Sequence, residues 1–367
     1  MNRLSILKYD LVSIGLYIGL VSFGIINIYS SSFNGSSISL LDLSSIVGKQ
    51  FIFFFLSLVV FIFILFTRNK FFDNSASIVY FLSIILLLGL FVFGVERGGA
   101  RSWYALGPIS FQPSELAKFG TALFLSKFLS IIQTDLKRNR DILIVLIIIL
   151  VPLILTTIQP DPGSALIFLA FIFPVIREGL NLNYFYFGLY IISTLLLTLI
   201  FNFLVSIAIL TIIFLTYLIY LRNKKIKVSL LKYIFSFFIL ISISFSTNYL
   251  FENVLEQRHR DRINLVLGKE IDTSGIGYNI NQSKIALSNG GFFGTGFLEG
   301  TQTKGNFVPR QHTDFIFSTI GEEWGFIGTL STIVIFSFLI IRIITRADKQ
   351  PNHFRRIYSY CFASLIF

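Results

Sequence analysis

One cysteine, Cys361, stands in 367 residues, so no intrachain disulfide can form and any loop outside a membrane must hold its shape by packing and hydrogen bonds. Histidine is nearly as scarce: His259, His312 and His353 are scattered, and no Cys/His set has zinc-ligand spacing. A Walker loop is missing, which removes the phosphate cradle of ATP-driven transport, and no G-x-S-x-G element offers an elbow-type serine nucleophile. No A-x-A site follows the first apolar run. That run, Leu11 to Tyr29, is also longer than the roughly 7–15 residues of a signal-peptide core, so it reads as an uncleaved anchor. There is no convincing internal repeat and no low-complexity tract beyond a Phe/Ile/Leu bias.

What is abundant is apolar sequence: the hydrophobic fraction is 54% and the mean hydropathy +0.78. A helix needs about 20 mostly apolar residues to cross the hydrocarbon core, and only helices or closed barrels satisfy their backbone there. The runs lack strand-like alternation, so the chain is expected to be an all-α polytopic membrane protein. Complete spans are predicted at 11–29, 51–66, 76–95, 113–132, 141–158, 163–176, 184–201, 203–221, 232–251 and 314–341, with a partial eleventh from Ile357. The 184–221 pair reads as a tight hairpin with no ionisable or other polar group that suggests a site, hence scaffold.

The net charge of +11 would suggest nucleic acid for a soluble protein, but the cations gather in short loops, among them Arg68 and Lys70, Lys137 to Arg140, and Arg342 to Arg356. The positive-inside rule accounts for them with the N-terminus cytoplasmic, and no nucleic-acid partner is needed. Two outside segments break the pattern: 96–112 and the large loop 252–313. Function is expected there, because special loops on a rigid scaffold commonly carry chemistry.

In "ERGGARSWYALGPISFQPSELAKFG" the glycines and prolines impose a turning path until Pro113 opens a helix, which puts Glu115 and Lys118 one turn apart inside a span. They either neutralise one another or also shape a polar cavity for a charged head group. Arg101 suits phosphate oxygens, and Trp103 suits the membrane interface or a sugar face. Asp161, between two prolines, is a helix cap or a ligand contact. In "EQRHRDRI", Arg258, Arg260 and Arg262 form either a solvated run or a pyrophosphate clamp. Asp272 stands ahead of Gly275 and Gly277, and a short helix from Tyr278 to Leu287 carries Lys284. Thr313 or Asp314 can cap the next span, where Glu322 and Glu323 require a bundle-facing or water-accessible placement.

Taken together, "RGGARSW...LGPISFQPSELAK", "QPDPGSALI", "DTSGIGYNINQSKIALSNGGFFGTGFLEGTQTKGNFVP" and "HTDFIFSTIGEEWGFIG" resemble the SEDS family (shape, elongation, division and sporulation) from about residue 10 to 345. "GTQ" at 300–302 resembles its elongation branch more than its septal branch. The resemblance implies a single integral membrane domain over 1–367, in a bacterial plasma membrane, that polymerises lipid II into glycan strands. It places the family's essential loop aspartate at Asp272, its Arg and Trp at Arg101 and Trp103, and its Glu/Lys pair at Glu115 and Lys118. A class B penicillin-binding protein, a transpeptidase, is the implied partner, along with other elongation-complex proteins. Thr273 stands where the family often has proline, the 184–221 hairpin exceeds the usual span count, and the family's further C-terminal spans are expected either beyond Phe367 or on a second polypeptide.

The expected chemistry is a single displacement with Asp272 as general base, while Arg101, Lys118 or the 258–262 cluster, Arg258 and Arg262 included, bind the diphosphate and Lys284 joins them in binding substrate. Mg or Mn would be the accompanying divalent cation, and no other cofactor is implied. Two rivals are a lipid flippase using Glu115, Lys118 and Glu322 as its polar path, and a non-catalytic scaffold for a transpeptidase.

Overall fold

The computed structural model describes every residue except 1–9, 34–44, 98, 108, 224–229, 256, 268, 270–275 and 306. The described chain forms two compact units, residues 1–180 with 281–367, and residues 181–280.

The first unit begins with three long helices, α1 (Leu11–Ser32), α2 (Ile46–Phe66) and α3 (Asn69–Phe93). A short meander follows, which the turning path read from the sequence did not include: β1 (Val95–Arg97), β2 (Ala100–Leu106) and β3 (Ile109–Phe111), antiparallel in the order β1-β2-β3. Register pairs Val95 with Trp103 and Tyr104 with Phe111. The Tyr104 hydroxyl ties the sheet to α3 through the Leu86 carbonyl at 2.8 Å.

Pro113 then starts α4 (Pro113–Ser130), followed by α5 (Asn139–Ile158). The predicted 163–176 span is a composite of α6 (Pro162–Ile167), a 3-10 turn (Phe168–Phe171) and α7 (Ile172–Arg177). Small residues bring α4 into the bundle: Ala117, Gly120, Thr121 and Ala122 are buried, and a Cβ on Gly120 would meet the Tyr80 Cα of α3 at 3.2 Å. Close backbone approach of this kind is how helices associate when lipid removes the usual hydrophobic drive. Around it Leu87, Leu90, Leu125, Phe168 and Phe171 form the core, while Phe63, Ile78 and Val92 stay exposed as lipid-facing side chains do.

The C-terminal part of this unit holds most of α12 (Ile276–Asn289), which covers the helix expected at 278–287. It continues through α13 (Thr301–Lys304), α14 (Ile316–Asp348) and α15 (His353–Ile366). Neither Thr313 nor Asp314 caps α14: Phe315 occupies that position, the Thr313 hydroxyl donates to the Arg310 carbonyl, and Asp314 pairs with Arg310 at 3.6 Å.

The second unit contains α8 (Leu182–Phe201), α9 (Phe203–Asn223), α10 (Leu230–Tyr249), which passes into a π turn (Leu250–Val254), and α11 (Gln257–Val266). The few polar groups of the hairpin serve helix packing. The Ser244 hydroxyl lies 2.8 Å from that of Thr198 and 3.1 Å from that of Ser206, and all three residues are buried. Among the described residues six helices are long and apolar enough to cross a membrane, fewer than the ten complete spans expected. α4 carries Glu115, Lys118 and Lys127, and the apolar stretches Pro162–Arg177 and Phe203–Thr216 are short.

Candidate functional site

The meander delivers the chain from the end of α3 to the head of α4. Arg101 Nε donates to the Gly94 carbonyl at 2.8 Å and its Nη2 to Val92 at 3.5 Å. The guanidinium therefore serves the C-terminal carbonyls of α3, where a cation also complements the helix dipole. Trp103, half-buried, stands across the ladder from Val95.

Gln112, the residue before α4, donates from Nε2 to Asp161 Oδ2 at 3.0 Å. Asp161 in turn accepts from the Ser164 amide at 3.1 Å. Of the two readings of Asp161, the cap is the one realised, and the same carboxylate fixes the entrance of α4 as well. Gln112 carried no signal of its own in the sequence.

One turn into α4, Lys118 Nζ donates to Glu115 Oε1 at 2.7 Å; the lysine side chain is 14% exposed and the glutamate 60%. The acid sits in the first turn, where the helix dipole favours it. Together they edge a cavity of about 250 Å³ whose remaining wall includes Phe119, Ile167, Tyr358 and Phe362. The pair thus puts two opposite charges at the margin of an otherwise apolar space, which suits an amphipathic ligand with a charged head.

A second polar centre lies in α14. Gly325 has φ 65° and ψ −160°, which breaks the helix. The carbonyls of Glu322 and Glu323 accept instead from the Thr295 amide at 2.9 Å and the Gly296 amide at 3.2 Å. The amides of Phe326 and Ile327 donate to Gly291 at 3.0 Å and Phe292 at 3.3 Å. Four backbone groups orphaned by the break are satisfied by one inserted loop.

The Glu322 side chain, fully buried, accepts from the amides of Gln302 at 2.7 Å and Thr303 at 2.9 Å and from the Thr301 hydroxyl at 3.3 Å. Glu323, also buried, accepts from the Ser30 hydroxyl of α1. Both face the bundle, one of the two placements the sequence required. The glycines at 321, 325 and 328 are the only trace of the break in the sequence, since its hydrogen-bonding partners lie some thirty residues earlier.

Lys284 is exposed on α12. In the second unit, Arg258 and Arg262 belong to α11. Arg260 donates to the Glu252 carbonyl at 3.1 Å, and Gln257 to Asp261 at 2.8 Å. Asp272 lies outside the described residues. Among the described residues no three His, Cys, Asp or Glu side chains gather as metal ligands.

A family model described as "Cell cycle protein", FtsW/RodA/SpoVE, matches residues 11–207 and 181–367. Peptidoglycan glycosyltransferase MrdB of Escherichia coli K12 is 29% identical over 78% of this chain and 64% of its own length, so the match spans just under two thirds of that relative. Peptidoglycan glycosyltransferase RodA of Treponema pallidum is 29% identical over 91% of this chain and 80% of its own. In fold the chain resembles the crystal structure of the Thermus thermophilus rod shape determining protein RodA, with TM-score 0.57, 22% identity and coverage of 97% and 81%. It also resembles a chain from a peptidoglycan synthase complex described as coordinating polymerization and crosslinking, with TM-score 0.68, 23% identity and coverage of 97% and 83%.

Proposed function

Because the chain belongs to the FtsW/RodA/SpoVE family of cell cycle proteins, we propose that this multi-pass membrane protein polymerises lipid II into β-1,4 glycan strands as a peptidoglycan glycosyltransferase of cell elongation. The observation that carries the reading is that relatives named for this activity match between 78% and 91% of the chain. The cavity beside Glu115 and Lys118 gives the substrate's charged head a place to meet an apolar wall.

Transfer from a lipid diphosphate has a good leaving group, so the demand falls on activating the acceptor hydroxyl. Asp272 takes the proton of the acceptor sugar's 4-hydroxyl as that oxygen attacks the donor's anomeric carbon. The carbon–oxygen bond to the diphosphate breaks in the same step, and the α-linked donor is inverted. Lys118, released from Glu115, meets the departing charge. Arg258 and Arg262 supply a second cationic pair, and Lys284 and Trp103 contact the saccharide. Arg101, engaged with α3, contributes by holding the meander. A divalent cation, Mg or Mn, would supply further positive charge toward the departing diphosphate.

The active loop faces the outside of a bacterial plasma membrane with the N-terminus in the cytoplasm. A class B penicillin-binding protein, with the other elongation-complex proteins, takes up the product and crosslinks it. The flippase reading loses ground because Glu322, one of its three path charges, is fully occupied as a backbone acceptor.

The test is lipid II polymerisation by the full chain and by Asp272→Asn. Loss of a general base lowers the rate by about 10²–10⁴-fold, with membrane insertion and melting unchanged. Undiminished glycan output from the variant overturns the assignment.

A further inference from the structure

The C-terminal end of α14 carries cations that neither the fold nor the proposed chemistry uses fully. Phe338, Ile341, Arg342, Thr345, Arg346 and Lys349 recur at helical spacing and line one surface cleft of about 420 Å³. The order along the axis matters: Phe338 and Ile341, both exposed, come first, and the cations follow.

Three cations line the cleft, and one carboxylate, that of Asp10, pairs with two of them. Asp10 takes Arg342 as a fork, with Nη2 at 2.6 Å and Nε at 3.0 Å, and a lone bond from Arg346 Nε at 3.2 Å. Three positive charges against one negative leave an excess of two. Arg346 remains 50% exposed, and Lys349 is exposed as well. An ordinary loop cation stands in water. Here an exposed isoleucine directly precedes Arg342, so the stripe sits at the level where hydrocarbon gives way to head groups.

We propose that this cleft is a binding site for an anionic phospholipid. Arg346 and Lys349 hold the phosphodiester, Arg342 stays locked to Asp10 and supplies field, and an acyl chain lies along Ile341 and Phe338. The graded face, apolar and then cationic, matches a molecule whose chain ends in a phosphate. Arginine engages such oxygens through its planar fork.

The test is native mass spectrometry of the detergent-purified full chain titrated with dioleoylphosphatidylglycerol or with dioleoylphosphatidylcholine. Wild type binds the glycerol lipid more tightly. R346Q/K349Q, which leaves the Arg342–Asp10 fork intact, binds it roughly twenty-five-fold more weakly, taking about a fivefold loss per cation at a lipid surface, with phosphatidylcholine binding unchanged. Should the double variant fail to fold, K349Q alone is expected to lose about fivefold. K137Q/R140Q removes the same charge from the exposed segment that leads into α5 and binds as wild type does. Equal retention of both lipids by wild type, or a loss in K137Q/R140Q as large as in R346Q/K349Q, overturns the proposal. So does displacement of the lipid by millimolar inorganic phosphate, which would make the site one for a free anion.

Discussion

Glu322 and Glu115 both place a carboxylate within a helix of the same unit, and they differ in every respect that decides function. Glu322 is fully buried and accepts three hydrogen bonds from the turn at 301–303. Glu115 is 60% exposed, has Lys118 as its ion-pair partner and borders a cavity. The first is a structural pin; the second can exchange its partner for a ligand at little cost. Counting the acceptors' partners separates the two, whereas position in a span does not.

The sharpest way to break this contrast is at the pin. Gly325→Ala puts a Cβ against the Phe292 carbonyl oxygen and the Phe293 carbon, each 2.7 Å away, at a φ of 65°. We expect a loss of about 3–5 kcal/mol from strain and overlap, read as loss of folded full chain and of its melting transition. Gly188, with nothing within 4 Å of an added Cβ, accepts alanine with a change of under about 1 kcal/mol. Next in size is Glu322→Ala, which strands the amides of Gln302 and Thr303; about 2–4 kcal/mol follows from buried unsatisfied donors. Glu322→Gln, which keeps one acceptor oxygen, should melt between the two. An unchanged melting point for the alanine variant would remove Glu322 from the architecture and return it to the candidate site.

Glu115→Gln tests the other side. An exposed ion pair contributes about 0–1 kcal/mol, so melting barely moves, while kcat/KM for lipid II falls at least about tenfold, equivalent to roughly 1.4 kcal/mol of transition-state binding. A drop in stability without a drop in turnover would make the pair a neutralising device only.

Much of this was legible beforehand, for reasons particular to each element. The apolar run at 141–158 can do little but form α5 (Asn139–Ile158), and Pro113 marks the first residue of α4 because its missing amide is harmless there. The segment "ARSWYAL" was hidden because glycines flank it and only seven residues form β2. α14 runs to Asp348, past the expected end at 341, because Asp10 compensates Arg342 and Arg346 and lets the helix continue through them. The Gly325 break was illegible because hydropathy is blind to which loop will satisfy a carbonyl. The assignment of Asp272 rests on resemblance rather than on geometry.

Arg101 offers a smaller discrimination. Its contacts to Gly94 and Val92 are exposed, so Arg101→Gln should cost under about 1 kcal/mol in melting. Turnover that falls tenfold or more in that variant would restore the diphosphate role expected from the sequence.

The smallest effect concerns Asp10, which lies outside the spans. The Arg342 guanidinium, helped by Ser13 and Arg346 and opposed by partial burial, holds its carboxyl well below the usual carboxylate range. A depressed folded value means the contribution is fully present above the unfolded carboxylate pKa of about 3.9 and declines as pH falls through the lower folded one. Wild type should therefore melt above Asp10→Asn at pH 7, with the gap closing only below about pH 4. A gap that closed near pH 6 would mean that something other than this carboxylate joins the start of α1 to α14, and the excess positive charge along that face would have to be recounted.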